Sequence, residues 1–219
     1  MSPVSESHEK PYNLKYSICV SGAASGDTVK NSAGLADRVG VAIAKSGHII
    51  TTGATVGLPY HAAVGARKAG GMSVGFSPAI SFREHIHKYR LPSSCFDFLN
   101  FTGLHYVGRD LYLVQSSDAV ITIGGRFGSL HEFTSALEAH KPCGVLLGSG
   151  GTADEIQALM EILEPPHKSL VVYDDNPERL VKKIVDILDE KSKDIKDHLK
   201  NHDQEWFLNF DGDHAGHNG

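Results

Sequence analysis

Short apolar runs alternate with longer amphipathic stretches along most of this chain, and that alternation restricts the fold more than any other feature. The runs at 16–20, 48–52, 72–76, 96–101, 119–123, 144–147 and 170–173 read as strands. Most are continuously apolar, as expected for strands covered on both faces. The segments between them carry helical stripes. Leu35, Val39, Ala42 and Ile43 make one; Ile156, Leu159, Met160 and Leu163 make another; Leu180, Ile184, Ile187 and Leu188 make a third. Strand–helix–strand repetition implies right-handed crossovers in one open sheet. The expected fold class is α/β: a Rossmann-like, doubly wound, seven-stranded parallel sheet with helices on both faces.

A length of 219 residues suits one domain with extensions. A polar N-terminal arm, 1–14, precedes the main domain over 15–200 and a C-terminal tail over 201–219. The helix starting near Asn176 is expected to run on through KSKDIKDHLKN, and the last nine residues of the tail to be disordered. Trp206, Phe207 and Phe210 are too apolar to stay in water and are expected to dock on the domain or on a second subunit. Net charge is −5 with no basic stripe, which argues against a nucleic-acid partner. Cys19, Cys95 and Cys143 are far apart and read as reduced thiols in the cytoplasm. The polar start lacks a secretion signal, and no apolar run approaches the ~18 residues needed to span a membrane.

In an open parallel sheet, ligands bind beyond the carboxyl ends of the strands. The first such loop is SGAASGD, 21–27. Its small residues expose amides ahead of a helix, which makes either an anion site or a tight turn. The spacing Gly22-x-x-x-Gly26 is not a dinucleotide fingerprint, and Thr51-Thr52-Gly53 supplies no acidic residue for a ribose. No G-x-x-x-x-G-K-S/T phosphate loop is present. The second loop, TGATVGLP at 52–59, offers Gly53, Thr55 and Gly57. The densest is GGRFGSLHE, 124–132, where Gly124, Gly125, Arg126 and Gly128 lead into a helix expected to begin near Ser129. Ser129 and Glu132 also fit a capping box, with Glu132 returning to the Ser129 amide. GSGGT, 148–152, reads as a flexible turn.

Arg109 is expected near the start of a helix, where the dipole disfavours a cation. That placement points to a bound anion or to a surface salt bridge with Asp110 or Asp118. Glu84, His85 and His87 read as solvated side chains rather than metal ligands. His131 reads as a helix-surface residue or an acid near the site, Lys88 and Arg90 as cations within reach of a phosphate, and His214 and His217 as tail residues.

Together these loops resemble the LOG family, the cytokinin-riboside-monophosphate phosphoribohydrolases. That family lies within a wider group of Rossmann-like nucleotide-binding proteins that includes the molybdenum-cofactor carriers. The resemblance covers about residues 15–189. The family's G-S-S-S-G-like loop is similar to Ser21–Gly26, and its G-G-G-S-V-G-L-M loop to 53–59. Its E-R-K segment falls on Gly108-Arg109-Asp110, and its P-G-G-x-G-T-x-x-E signature on Gly124, Gly125, Gly128, Ser129 and Glu132. Four departures stand out: Ile123 for Pro, Phe127 as an added residue, Ser129 for Thr and Asp110 for Lys. The extra residue and the lost positive charge are closer to the carrier branch.

The resemblance implies a nucleotide-binding domain with Arg109 and Glu132 as its catalytic pair. Ser21, Gly22 and Gly26 from the first loop, Gly53, Thr55 and Gly57 from the second, and 124–126 with 128–129 from the third would hold a phosphate or nucleotide. One implied function is a phosphoribohydrolase that cleaves the N-glycosidic bond of a nucleoside 5′-monophosphate to free base and ribose 5-phosphate. There Glu132 would stabilise the oxocarbenium-like state and Arg109 would clamp the phosphate. The other is a non-catalytic carrier or sensor of a nucleotide-like ligand, such as a pterin cofactor. Neither calls for a cofactor or a metal of its own, and the family's habit implies a homodimer or tetramer.

Overall fold

Residues 14–201 are described by the structure, a computed structural model. The polar arm and the tail bearing Trp206, Phe207, Phe210, His214 and His217 lie outside the described residues. The strands are β1 (Ser17–Gly22), β2 (Ile49–Thr52), β3 (Ser73–Ser77), β4 (Phe98–Phe101), β5 (Ala119–Ile123), β6 (Cys143–Leu146) and β7 (Val171–Asp174). They form one seven-stranded sheet in the order β4-β3-β2-β1-β5-β6-β7. Every pairing is parallel. The expected α/β architecture is present.

The helices are α1 (Asp27–Lys45), α2 (Leu58–Lys68), α3 (Phe82–His87), α4 (His105–Gln115), α5 (Phe127–Glu138), α6 (Thr152–Leu163), α7 (Pro177–Lys191) and α8 (Lys193–Asn201). α1 and α2 pack together over β1 and β2. They cross closely because Gly40 and Gly65 sit at the contact; a Cβ on Gly40 would stand 2.7 Å from the Ala62 carbonyl carbon. On the other face, α4, α5 and α6 bury Leu113, Val114, Phe133, Ala136 and Ile156 against Cys19, Val120 and Val145 of the sheet.

Lys15–Leu188 forms one compact unit. Beyond it the helical segment is not continuous. The chain turns at Ser192, whose carbonyl then accepts from the Lys196 amide at 2.9 Å to open α8. Serine favours helix starts over helix interiors, which accounts for the break. Cys19, Cys95 and Cys143 are all free and buried. Among the described residues, no helix is long and apolar enough to cross a membrane.

Candidate functional site

Strand order reverses between β1 and β5: β2, β3 and β4 extend to one side of β1, and β5, β6 and β7 to the other. At such a switch point the loops after the two central strands diverge and leave a crevice. Here a cleft of about 270 Å³ opens there, lined by the 22–25 stretch, Gly53, Thr55, Pro59, Tyr106, Arg109, Asp110, Arg126, Gly128, Ser129 and Glu132. The structure thus brings the three expected loops and the expected Arg–Glu pair to one cavity. Gly26, Gly57, Gly124 and Gly125 shape the walls without lining them.

Close backbone approach explains several of the glycines. A Cβ on Gly22 would stand 2.6 Å from the Ile123 carbonyl oxygen. Gly57 and Gly124 have φ of 82° and 57°, a region where a side chain is strained. Gly53 has a different duty. A Cβ there would sit 2.6 Å from Cζ of Arg109, so the glycine makes room for the guanidinium.

Arg109 departs from its expected place. α4 begins at His105, four residues earlier, so Arg109 lies one turn inside the helix and is 4% exposed. Its Nη1 donates to the Gly53 carbonyl and, at 3.1 Å, to that of Phe76. Its Nε donates to Asp110 Oδ1 at 2.9 Å. The salt bridge is buried, not on the surface. Asp118 is otherwise engaged, taking the Ser17 amide and hydroxyl at 2.7 and 3.0 Å.

Glu132 departs as well. α5 starts at Phe127, with Arg126 at its N-cap and no side-chain cap, so the capping box with Ser129 does not form. The buried Glu132 carboxyl instead accepts from the Ser21 hydroxyl of β1. Burial first, and the Asp110 charge second, push the Glu132 carboxyl up to about 7, against the pull of Arg109. His131 stands nearby, its Nδ1 3.7 Å from Asp110 Oδ2, but it does not line the cleft.

The far end of the cleft is different. Arg126 is exposed, and no hydrogen bond or ion pair holds its guanidinium among the described residues. Its Nη2 would lie 3.2 Å from a Cβ placed on Gly26, so the cation reaches across to the first loop. α1, α2 and α5 all start at this rim, on Gly26, Gly57 and Arg126, and none has a side-chain cap. The GSGGT segment is not a free turn. Ser149 accepts from the Gly124 amide at 2.8 Å and donates to the Leu146 carbonyl, while Asp154 takes the amides of Gly148 and Gly150 at 2.8 and 3.0 Å. This segment braces the third loop from behind.

Sequence reasoning missed Ser149 and Tyr106, and it placed the Arg109–Asp110 pair on the surface. Tyr106, three residues before Arg109, places its ring 5.8 Å from the guanidinium. The remaining candidates fall outside the cleft. His85 is fully buried rather than solvated, with Nδ1 2.9 Å from Ser77 Oγ and Nε2 2.9 Å from the Pro92 carbonyl. Lys88 pairs with Glu84. Arg90 adopts a φ of 54° beyond α3.

A cleft at the switch point of a doubly wound parallel sheet defines a Rossmann-like ligand-binding class of domain. Within that class, residues 15–181 match the model of the SLOG cluster4 family, and this chain belongs to that family. The resemblance read from the loop motifs agrees with this placement. An uncharacterized protein of Archaeoglobus fulgidus is 33% identical over 109 residues, 49% of this chain and 65% of that protein. The chain therefore spans a little under two thirds of that relative's length. The molybdenum cofactor binding protein of Rippkaea orientalis superposes with a TM-score of 0.64 at 29% identity, covering 80% of this chain and 98% of that one. The molybdenum cofactor carrier protein of Chlamydomonas reinhardtii gives 0.65 at 27% identity, covering 80% and 99%.

Proposed function

We propose that this chain binds a phosphorylated, nucleotide-like small molecule in the β1/β5 cleft and holds it as a carrier or sensor. The observation that carries this reading is the division of charge in the cleft. At the deep end Arg109 is already matched by Asp110, and burial beside Asp110 raises the Glu132 carboxyl. At the rim Arg126 has no counter-ion among the described residues, and the starts of α1 and α5 carry no side-chain cap. A phosphate is therefore received at the rim by Arg126 and the loops at Gly22–Gly26, Gly53–Gly57 and Gly124–Gly128. The neutral, hydrogen-bonding part of the ligand goes inward, towards Ser21, Asp110 and Glu132. The likeness to a molybdenum cofactor binding protein and a molybdenum cofactor carrier protein supports that cofactor as one such ligand; a nucleoside 5′-monophosphate is the other.

A second reading, hydrolysis of the N-glycosidic bond, is favoured by one observation: Glu132 and Arg109 line the same cleft. Against it, a carboxyl pushed up to about 7 is only partly ionised near neutral pH, where an oxocarbenium-like state needs a full negative charge. Both readings place the chain in the cytoplasm, a reducing compartment that suits three free thiols, as a homodimer or larger assembly.

The test is a panel of nucleoside 5′-monophosphates and their nucleosides, read by melting temperature and by free base. Near 100 times Kd a ligand stabilises by about 2.7 kcal/mol, or roughly 5–10 °C at this size. We expect the phosphorylated compounds to stabilise and no base to appear. Equal shifts from nucleoside and nucleotide overturn the phosphate reading; release of base replaces the carrier with the hydrolase.

A further inference from the structure

We propose that Tyr106 is the residue that selects the ligand, by stacking a flat, fused heteroaromatic ring of purine or pterin size against its own ring. This rests on the reading that the β1/β5 cleft takes a phosphorylated small molecule, and it adds the part of that molecule which the phosphate site does not recognise.

Tyr106, Arg109 and Asp110 are spaced three and four apart, so they share one face of α4. All three line the cleft, and Tyr106 is the one aromatic side chain among the described residues that do so. It stands a turn nearer the helix start than Asp110, about 6 Å along the axis. Arg109 and Asp110 are buried, whereas Tyr106 is 46% exposed. A tyrosine left that open contributes little to the core, yet its ring faces a ligand-sized space. Much of the remaining lining is small, Gly22, Ala23, Ala24, Ser25 and Gly53, so the cleft leaves room for a flat ring.

The ring is braced before any ligand arrives. Tyr89, beyond α3, meets it edge to face, with centroids 5.6 Å apart and planes at 85°. The Arg109 guanidinium lies 5.8 Å from its centroid. The Tyr89 hydroxyl is 2.8 Å from Nδ1 of His105, the residue before Tyr106. His105 itself adopts a φ of 54°, uncommon for a residue with a side chain. A side chain already held in place loses little freedom when a ligand covers it, which favours binding.

The chemistry of the neighbours selects the kind of ring. Asp110 and Glu132, deeper in the cleft, offer oxygen atoms to the polar edge of a heterocycle. Arg126 takes the phosphate at the rim. A ring lying on Tyr106 therefore has its polar edge towards the two carboxyl groups, and the ring's π-face supplies affinity that a sugar phosphate alone lacks.

The test compares AMP and GMP with ribose 5-phosphate by titration calorimetry on the full chain. The wild type is expected to prefer the two nucleotides by about 5- to 100-fold, the worth of one base–aromatic stack. Tyr106→Ala is expected to remove most of that preference, and with it the hypochromism of the bound base near 260 nm. Tyr106→Phe keeps a ring and is expected to keep both. Tyr89→Leu, which loosens the brace, is expected to lower the preference by a smaller factor. Equal affinity of the wild type for ribose 5-phosphate and the nucleotides overturns the proposal. So does a Tyr106→Ala protein with the preference of the parent. Failure of the phosphate reading shows differently, as adenosine binding as tightly as AMP; the effect of Tyr106→Ala is then read with adenosine against ribose.

Discussion

Asp110 Oδ1 lies 2.9 Å from Nε of Arg109, its neighbour in the chain, and both side chains are buried. The residue standing where the LOG motif has a lysine therefore supplies the counter-ion to the motif's own arginine. On the proposed function, the positive charge offered to a ligand moves outward, from Arg109 to Arg126.

Asp110→Asn tests this arrangement. The Asp110 charge is the largest cause after burial that raises Glu132. Without it, Glu132 is expected to titrate below about 7 and to take over as the partner of Arg109. Removing one partner of a buried pair costs ~3–5 kcal/mol when nothing replaces it. With Glu132 as substitute, we expect a loss of about 1–3 kcal/mol. Carbon-detected NMR of the Glu132 carboxyl reads the first expectation, and an unchanged titration would contradict it.

Stability should depend on pH through Glu132 in a definite direction. The ordinary glutamate value is 4.5 and the folded value about 7, so the folded state holds a proton that the unfolded state releases. The resulting contribution is complete below about pH 4.5 and is lost as pH rises through about 7. Its ceiling is roughly 3 kcal/mol, from 1.36 kcal/mol per pH unit. Denaturant unfolding of the wild type and of Glu132→Gln, compared from pH 5 to 8, isolates it. The stability difference between the two should drift by ~1–3 kcal/mol in favour of the amide as pH rises; a flat difference would count against a raised Glu132 carboxyl.

The two arginines should fail in different ways. Arg126→Ala is expected to weaken binding of the phosphorylated ligand by about 1.5–3 kcal/mol, the worth of a charged hydrogen bond, and to leave melting unchanged. Arg109→Ala leaves Asp110 buried without its cation, so it is expected to lose ~3–5 kcal/mol of folding stability. Calorimetry on both variants, with ligand and without, separates the cases. If Arg109→Ala melts like the parent, the buried pair does not have the role given to it here.

Gly53→Ala probes the same guanidinium from the other side. The added methyl would sit 2.6 Å from Cζ of Arg109, far inside contact distance. Overpacking of this kind costs typically ~1–3 kcal/mol, and here it also drives Arg109 off the Gly53 and Phe76 carbonyls. A lower melting temperature together with weaker ligand binding is expected; a silent variant would mean that the guanidinium has other room to occupy.

The sheet was legible because its strands are apolar on both faces. β5 occupies the bounds that its sequence suggests, and the others differ by one or two residues at one or both ends. Those differences follow from pairing: β1 runs on to Gly22 because Gly22 pairs with Ile123, and β4 starts late because its first partner is Val74, opposite Phe98. The cleft was legible as three glycine loops and an Arg–Glu pair. What escaped was tertiary. Ser129-Leu130-His131-Glu132 satisfies the local rule for a capping box, and nothing nearby reveals that Glu132 belongs to Ser21. α4 was misjudged because its apolar stripe faces outward, so the buried Arg109 and Asp110 fall where a surface would be expected.

The placement of β1 and β5 has one more consequence. Each is hydrogen-bonded along both edges, β1 between β2 and β5 and β5 between β1 and β6. Strands of that kind open only with the whole domain, so their amides exchange with solvent last. The cleft is thus anchored to strands from the middle of the sheet, whose amides are expected to exchange slowly. Fluctuations at β4 and β7, the outer strands, can proceed without loosening the floor of the cleft.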